Sequence, residues 1–161
     1  MICIGIDPGI TGAIAVCVDY GDDVAPEVRD VYDMPVVAKS NGKGNQINSA
    51  ELAHILRGWQ HSQVCAVVEA VTAMPGQGVT SVFSFGRSLG AIEGVLSALG
   101  IPYSLVHSTR WKKAMGLTGK DKDAARAKVI REHPEIADQL TRKKDIGRAD
   151  AILLAEYGLN N

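Results

Sequence analysis

The sequence predicts a single α/β domain built on a mixed sheet. Three observations point there. Residues 2–7 and 12–18 are apolar, β-branched runs joined by "PGITG", which reads as an antiparallel hairpin. Further along, the strand-like runs "VCAVVEA" and "PYSLVH" are separated by segments of helical period. Finally, 161 residues with no internal repeat and no linker-like stretch fit one domain, 1–161, around a single substantial core.

The elements follow in order. "VRDVYDM" (28–34) alternates apolar and polar residues and supplies a third strand, so the first three strands are antiparallel. "VVAKSNGKGNQIN" (36–48) is rich in Gly, Asn and Lys and reads as a mobile loop. Ser49 is the expected N-cap of a helix over about 50–60, with Leu52, Ile55, Leu56 and Trp59 on one face. The fourth strand, "VCAVVEA" (64–70), closes on a carboxylate, and "AMPGQGVT" loops out of it. A helix over roughly 80–99 carries Val82, Leu89, Ile92, Val95, Leu96 and Leu99 at helical spacing. Within it Gly86, Gly90 and Gly94 form a small-residue ridge, suited to close packing of another element or to backbone approach by a substrate. The strand "PYSLVH" (102–107) leads to a helix capped by Ser108 or Thr109. A basic helix begins near Asp121 and stops before Pro134. The last helix, from about Asp145 to Tyr157, has an apolar stripe of Ile146, Ala149, Ile152, Leu153 and Ala155. The result is a mixed five-stranded sheet flanked by helices.

Composition narrows the class. With 46% hydrophobic and 22% charged residues the chain is globular rather than disordered or fibrous. No apolar run reaches the ~18 residues of a membrane helix, and the first apolar stretch carries Asp7 with no charged leader before it. Neither a membrane partner nor a secretory signal is expected. Cys3, Cys17 and Cys65 are odd in number, lie in apolar segments and lack metal-ligand spacing. They read as small buried side chains in a reducing, cytoplasmic compartment.

A net charge of −1 conceals an asymmetry. Residues 1–106 carry 5 Lys/Arg against 10 Asp/Glu, whereas residues 107–148 carry 12 against 6. The basic segment is either a solvated helical face or a surface that neutralises the phosphates of a polyanion.

Four acids stand out by placement: Asp7 and Glu69 at strand ends, Asp145 and Asp150 on the last helix. If the first and fourth strands are parallel neighbours, Asp7 and Glu69 emerge at one sheet edge. Five residues is about 500° of helical turn, so Asp145 and Asp150 stand about 140° apart around the axis and share no stripe. A frayed first turn could still bring Asp145 to a common site. Each acid alone has an ordinary use, as a turn former, strand end, N-cap or surface partner. Together they suit a hard divalent cation, because clustered carboxylates repel one another unless a cation lies among them. Two such ions activate a water and stabilise the leaving oxygen of a phosphodiester. Asp7 before a glycine bend could alternatively belong to a phosphate cradle. His54, His61, His107 and His133 have no ligand spacing and read as structural or surface groups.

"GIDPGITGAIAV", "VVEAVTAMPGQG", "SFGRSLGAIEGVL", "TRWKKAMGL", "KDAARA" and "KKDIGRADAILLAEYG" occur in this order over nearly the whole chain, with 19–63 the weakest stretch. This set resembles the RuvC-like Holliday junction resolvases of the ribonuclease H-like superfamily, in particular the branch containing the chloroplast resolvase and related phage or bacterial proteins. The resemblance implies a ribonuclease H-like fold and a homodimer that cuts four-way DNA junctions symmetrically. It implies Mg²⁺ or Mn²⁺, two ions per active site, with no small-molecule cofactor, in the cytoplasm of a bacterial or phage-infected cell. Asp7, Glu69 and Asp150 match the family's first-strand, fourth-strand and last-helix acids. Bacterial RuvC has an acid or histidine three residues before the last acid, where this chain has Gly147; in the chloroplast-like branch the "KKD" aspartate fills that role, which points to Asp145. Lys122 matches a lysine placed beside the scissile phosphate, with Lys120 its competitor. The remaining basic residues expected on DNA are Arg110, Lys112, Lys113, Arg126, Lys143, Lys144 and Arg148. After Glu69, bacterial RuvC has a phenylalanine that stacks at the junction; this chain has Thr72, and Met74 is the nearest bulky side chain.

Two other readings share these residues. One is a ribonuclease H-like protein that binds nucleic acid without cutting it, or cuts a different substrate such as a hybrid. The other is an actin-like or sugar-kinase-like ATPase, which needs two such domains and more than 161 residues.

Overall fold

The computed structural model describes residues 1–21, 24–60, 63–73, 75–121 and 123–161. The residues His61, Met74 and Lys122, singled out above, lie outside the described residues. In chain order the strands are β1 (Ile2–Ile6), β2 (Ala13–Val18), β3 (Glu27–Asp33), β4 (Val36–Ala38), β5 (Asn45–Ile47), β6 (Val64–Glu69) and β7 (Tyr103–Val106). The helices are α1 (Ser49–Arg57), α2 (Val79–Ala98), α3 (Ser108–Ala114), α4 (Ala124–Glu132) and α5 (Ile146–Leu159), with 3-10 turns at Pro134–Leu140 and Lys143–Asp145. The main sheet has the order β3-β2-β1-β6-β7, antiparallel through β3, β2 and β1 and parallel through β1, β6 and β7. This is the mixed five-stranded α/β arrangement read from the sequence.

Both faces of the central strands are buried, so side chains of period two feed two cores. Ile4, Ile6, Ile14, Val16, Ala66 and Val68 meet Leu52, Leu56, Ile92 and Leu96 of α1 and α2. On the opposite face Cys3, Ala13, Ala15, Cys17 and Val67 meet Ile152, Leu153 and Ala155 of α5. The second face is lined by small residues for a steric reason. A Cβ built on Gly5 would fall 1.9 Å from the Ala151 carbonyl oxygen and 2.5 Å from the Ala155 nitrogen. Helix α5 therefore lies directly on the β1 backbone.

The structure corrects three local expectations. Residues 36–48 are not all loop, because β4 and β5 pair antiparallel with Val36 opposite Ile47 and Val37 opposite Gln46. The β-branched ends favour strand, and Gly42 and Gly44, at φ of 70° and 82°, reverse the chain. Asn48 rather than Ser49 caps α1, its side chain accepting the Glu51 N–H at 3.2 Å. Neither Ser108 nor Thr109 caps α3, which starts after His107 with no side-chain cap. Within one chain, Cβ atoms at Gly86, Gly90 and Gly94 of α2 would find nothing within 4 Å among the described residues, so the ridge is left uncovered. Among the histidines, His133 is buried and bonds Glu156 of α5 through Nε2, a structural tie between the segment after α4 and the last helix.

Candidate active site

The parallel pairing of β1 with β6 ends with Ile6 opposite Val68, so Asp7 and Glu69 leave the sheet in step at its carboxyl edge. The turn after Asp7 is equally constrained. A Cβ on Gly12 would lie 2.2 Å from the Asp7 carbonyl oxygen and 2.9 Å from its Cγ. The Gly9 N–H reaches Asp7 Oδ1 at 3.4 Å. Thus "PGITG" folds back over the aspartate while leaving its carboxylate at the edge.

Asp150 arrives from α5, and the direct contact of α5 with Gly5 determines how near it comes. One turn earlier, a Cβ on Gly147 would lie 3.2 Å from Asp7 Oδ2. Asp150 Oδ1 is buried and has no hydrogen-bond partner among the described residues. Burial pushes the Asp150 carboxyl up to about 7; Lys112 opposes the shift, and the charges of Asp7 and Glu69 add to it. Asp7 is pushed up to about 6, again by burial first, with Glu69 raising it and the Gly9 amide and Lys112 lowering it. Asp7, Glu69 and Asp150 therefore form one electrostatic group with Lys112 as its cation.

Sequence reasoning missed the residue that holds Glu69. The indole N–H of Trp111, a fully buried side chain, donates to Glu69 Oε2 at 2.8 Å. The Lys112 ammonium lies 5.0 Å from the centroid of the Trp111 ring. A cavity of about 240 Å³ beside the acids is lined by Lys112, Lys120, Asp121, Ile146 and Asp150, among others. The available signal was a tryptophan embedded in the basic run "TRWKK", which by itself also fits an exposed helical face.

The other expected site residues are placed differently. Asp145 is not brought into the group. It is only 2% exposed, its Oδ2 accepts the Arg142 backbone N–H at 2.7 Å, and its Oδ1 accepts Arg142 Nη2 at 2.8 Å. The Arg142 guanidinium holds its carboxyl below the usual carboxylate range. Two basic side chains are also committed within the fold. Arg126 bonds both Asp123 oxygens and the Leu140 carbonyl, and Arg148 bonds Asp33 and the Gln139 carbonyl. Arg110 lines a different cavity, with Cys65 and Tyr157. Lys113, Lys120, Lys143 and Lys144 are exposed.

Hard carboxylate oxygens of this kind suit Mg²⁺ or Mn²⁺, and an orphaned buried oxygen is the feature a cation would satisfy. Among the described residues, however, no three His, Cys, Asp or Glu side chains are already grouped as a metal-binding set.

No protein-family profile matches the chain. A curated relative is the chloroplastic Holliday junction resolvase MOC1 of Chlamydomonas reinhardtii, 36% identical over 93 residues, which is 57% of this chain and 10% of that protein. The chain thus spans about a tenth of the relative's length. Among solved structures, Thermus thermophilus RuvC superposes with a TM-score of 0.65 at 18% identity, covering 97% of this chain and 92% of that one. T. thermophilus RuvC in complex with a Holliday junction substrate gives 0.67 at 19% identity, covering 99% and 96%. The chain has the ribonuclease H-like fold of RuvC.

Proposed function

We propose that this chain is a metal-dependent endonuclease that resolves four-way DNA junctions by paired, symmetric phosphodiester hydrolysis. The observation that carries the reading is the convergence of Asp7, Glu69 and Asp150, with one Asp150 oxygen buried and unpartnered among the described residues. A protein that only bound DNA would gain nothing by setting carboxylates against phosphates. The fold and the curated relative supply the choice of a branched substrate over plain duplex.

In this reading Asp7, Glu69 and Asp150 hold Mg²⁺ or Mn²⁺, two ions per site. When bound, the metal supplies Lewis-acid activation of water and stabilises charge on the leaving oxygen. The chain's own residues set the rest. Trp111 fixes the orientation of Glu69, and Lys112 offers a cation beside the acids to balance charge developing on the scissile phosphate. Asp145 is left out of the ligand set because Arg142 takes both its oxygens. The products are 5′-phosphate and 3′-hydroxyl ends.

Symmetric cutting requires two copies, and we assign the dimer face to α2. Val79 and Phe83 are 86% and 65% exposed there, and the glycine ridge is uncovered. No helix of the described residues is long and apolar enough to cross a membrane. A reducing, cytoplasmic setting is proposed from the unpaired cysteines.

The test uses a synthetic four-way junction and a linear duplex, each with Mg²⁺ or EDTA, and an Asp7→Asn variant. Paired nicks confined to the junction, and abolished by EDTA and by the substitution, are expected. Equal cutting of duplex would refute junction selectivity. Tight junction binding without cutting would establish the inert binder instead.

A further inference from the structure

The three cysteines, scattered in sequence, form one row across the sheet. Cys3 of β1 pairs with Cys17 of β2 on one side and with Cys65 of β6 on the other. All three belong to the core beneath α5. They are not equivalent. Cys17 is buried, with its thiol directed to the Ile152 carbonyl, and burial together with the charge of Glu156 pushes it far up. Cys65 is half-buried and lines a cavity of about 350 Å³ shared with Tyr103, Arg110 and Gly158. Cys3 is buried, and a Cβ on Gly158 would lie 2.3 Å from its Sγ, so only glycine there leaves room for the thiol.

Cys3 and Cys65 stand opposite each other in the parallel register of β1 and β6, and the Cys65 thiol donates to the Ile2 carbonyl at 3.8 Å. The neighbouring Cys3 thiol lowers Cys65 to about 7, while Cys3 is pushed far up by Cys65 and by burial. Low-pKa, reachable thiolates are the ones that react with oxidants. Neighbouring strands are ~4.8 Å apart, within the ~4.4–6.8 Å between Cα atoms that a disulfide spans.

We propose that Cys65 and Cys3 form a dithiol oxidation site, in which a peroxide oxidises Cys65 and Cys3 closes an intrachain disulfide across β1 and β6. The Cys65 thiolate attacks one peroxide oxygen and the O–O bond breaks. The departing alkoxide or hydroxide takes up a proton, and Cys65, oxidised by two electrons, becomes a sulfenic acid. The Cys3 sulfur then attacks the sulfenic sulfur. The S–S bond forms, the S–O bond breaks, and hydroxide leaves with the Cys3 proton as water. The cross-link lies four residues upstream of Asp7 on one strand and of Glu69 on the other, so it ties together the two strands that present those acids.

The experiment treats the reduced full chain, freed of reductant, with excess hydrogen peroxide. Titratable thiols should fall from three to one per chain, and non-reducing peptide mass spectrometry should find Cys3 linked to Cys65, two hydrogens lighter. Cys17→Ala should preserve the link. Cys65→Ser, checked for folding by circular dichroism, should abolish it and leave Cys3 reduced. Cys3→Ser should leave a Cys65 sulfenic acid that dimedone captures; should that variant not fold, the Cys17 and Cys65 variants decide alone. Three surviving thiols, a link from Cys3 to Cys17, or a link only between chains would overturn the proposal.

Discussion

Replacing Asp150 with Asn should stabilise the metal-free protein at alkaline pH. The Asp150 carboxyl is raised from 3.8 to about 7, chiefly by burial. A folded-state value above the unfolded one gives stability that is complete below about pH 4 and lost as pH rises through 7. A shift of about 3 units at ~1.4 kcal/mol per unit amounts to about 4 kcal/mol lost at high pH. Asp150 is only half-buried, and an Asn there keeps a poorly satisfied buried oxygen that costs about 1–2 kcal/mol, so the net gain expected is about 2 kcal/mol at pH 8. Urea denaturation in EDTA at pH 4, 6 and 8 measures it, as a higher Cm with an unchanged slope. The difference should vanish near pH 4, where the carboxyl is neutral in the folded wild type. Added Mn²⁺ should stabilise the wild type more than the variant. A variant no more stable at pH 8, or equally more stable at pH 4, would refute the charge argument, the second result because packing alone could produce it.

Three further outcomes follow from the same geometry. Gly5→Ala presses a methyl into the α5 backbone and should cost about 3 kcal/mol or more, read as a drop in Cm, with junction cutting lost in proportion to the misplacement of Asp150. Trp111→Phe removes the donor to Glu69; it should cost about 2 kcal/mol in urea denaturation and slow junction cutting about tenfold in single-turnover assays. Lys112→Gln removes the cation that lowers both Asp7 and Asp150, so half-maximal Mn²⁺ binding, followed by isothermal calorimetry across pH 5 to 9, should move to higher pH; an unchanged profile would detach Lys112 from the site.

Much of the frame was legible because it rests on period and chain order. The hairpin of β1 and β2, the buried run of β6 and the apolar stripe of α5 each carry their pattern locally. Asp7 and Glu69 followed from the parallel pairing. What was not legible depends on close contacts between distant residues. Nothing near Gly5 announces that Ala151 lies on it, nor does "TRWKK" indicate that its tryptophan faces a carboxylate. Arg126 and Arg148 looked like free cations because their partners include backbone carbonyls, which a sequence does not display. The hairpin of β4 and β5 was hidden by its own turn, whose glycines and asparagines outweigh two short strand ends.

The packing of α5 also bears on why the proposed site draws on Asp7, Glu69 and Asp150 without a fourth acid. Gly147 stands where the bacterial enzymes of the resembled family place an acid or histidine. Here a Cβ at that position would lie 3.0 Å from the Thr11 carbonyl oxygen and 3.2 Å from Asp7 Oδ2. A carboxylate there would press against the turn after β1 and set a second charge on an aspartate that burial already raises to about 6. The candidate substitute, Asp145, precedes α5 and is held by Arg142 in the turn that leads into it. Drawing Asp145 toward Asp7 would break its bonds to Arg142 and open the 3-10 turn at Lys143–Asp145. The tight contacts at Gly147 therefore disfavour a fourth acid on the same turn. In the proposed metal site the remaining ligands would come from water and from the phosphate of a bound strand, which would couple assembly of that site to DNA.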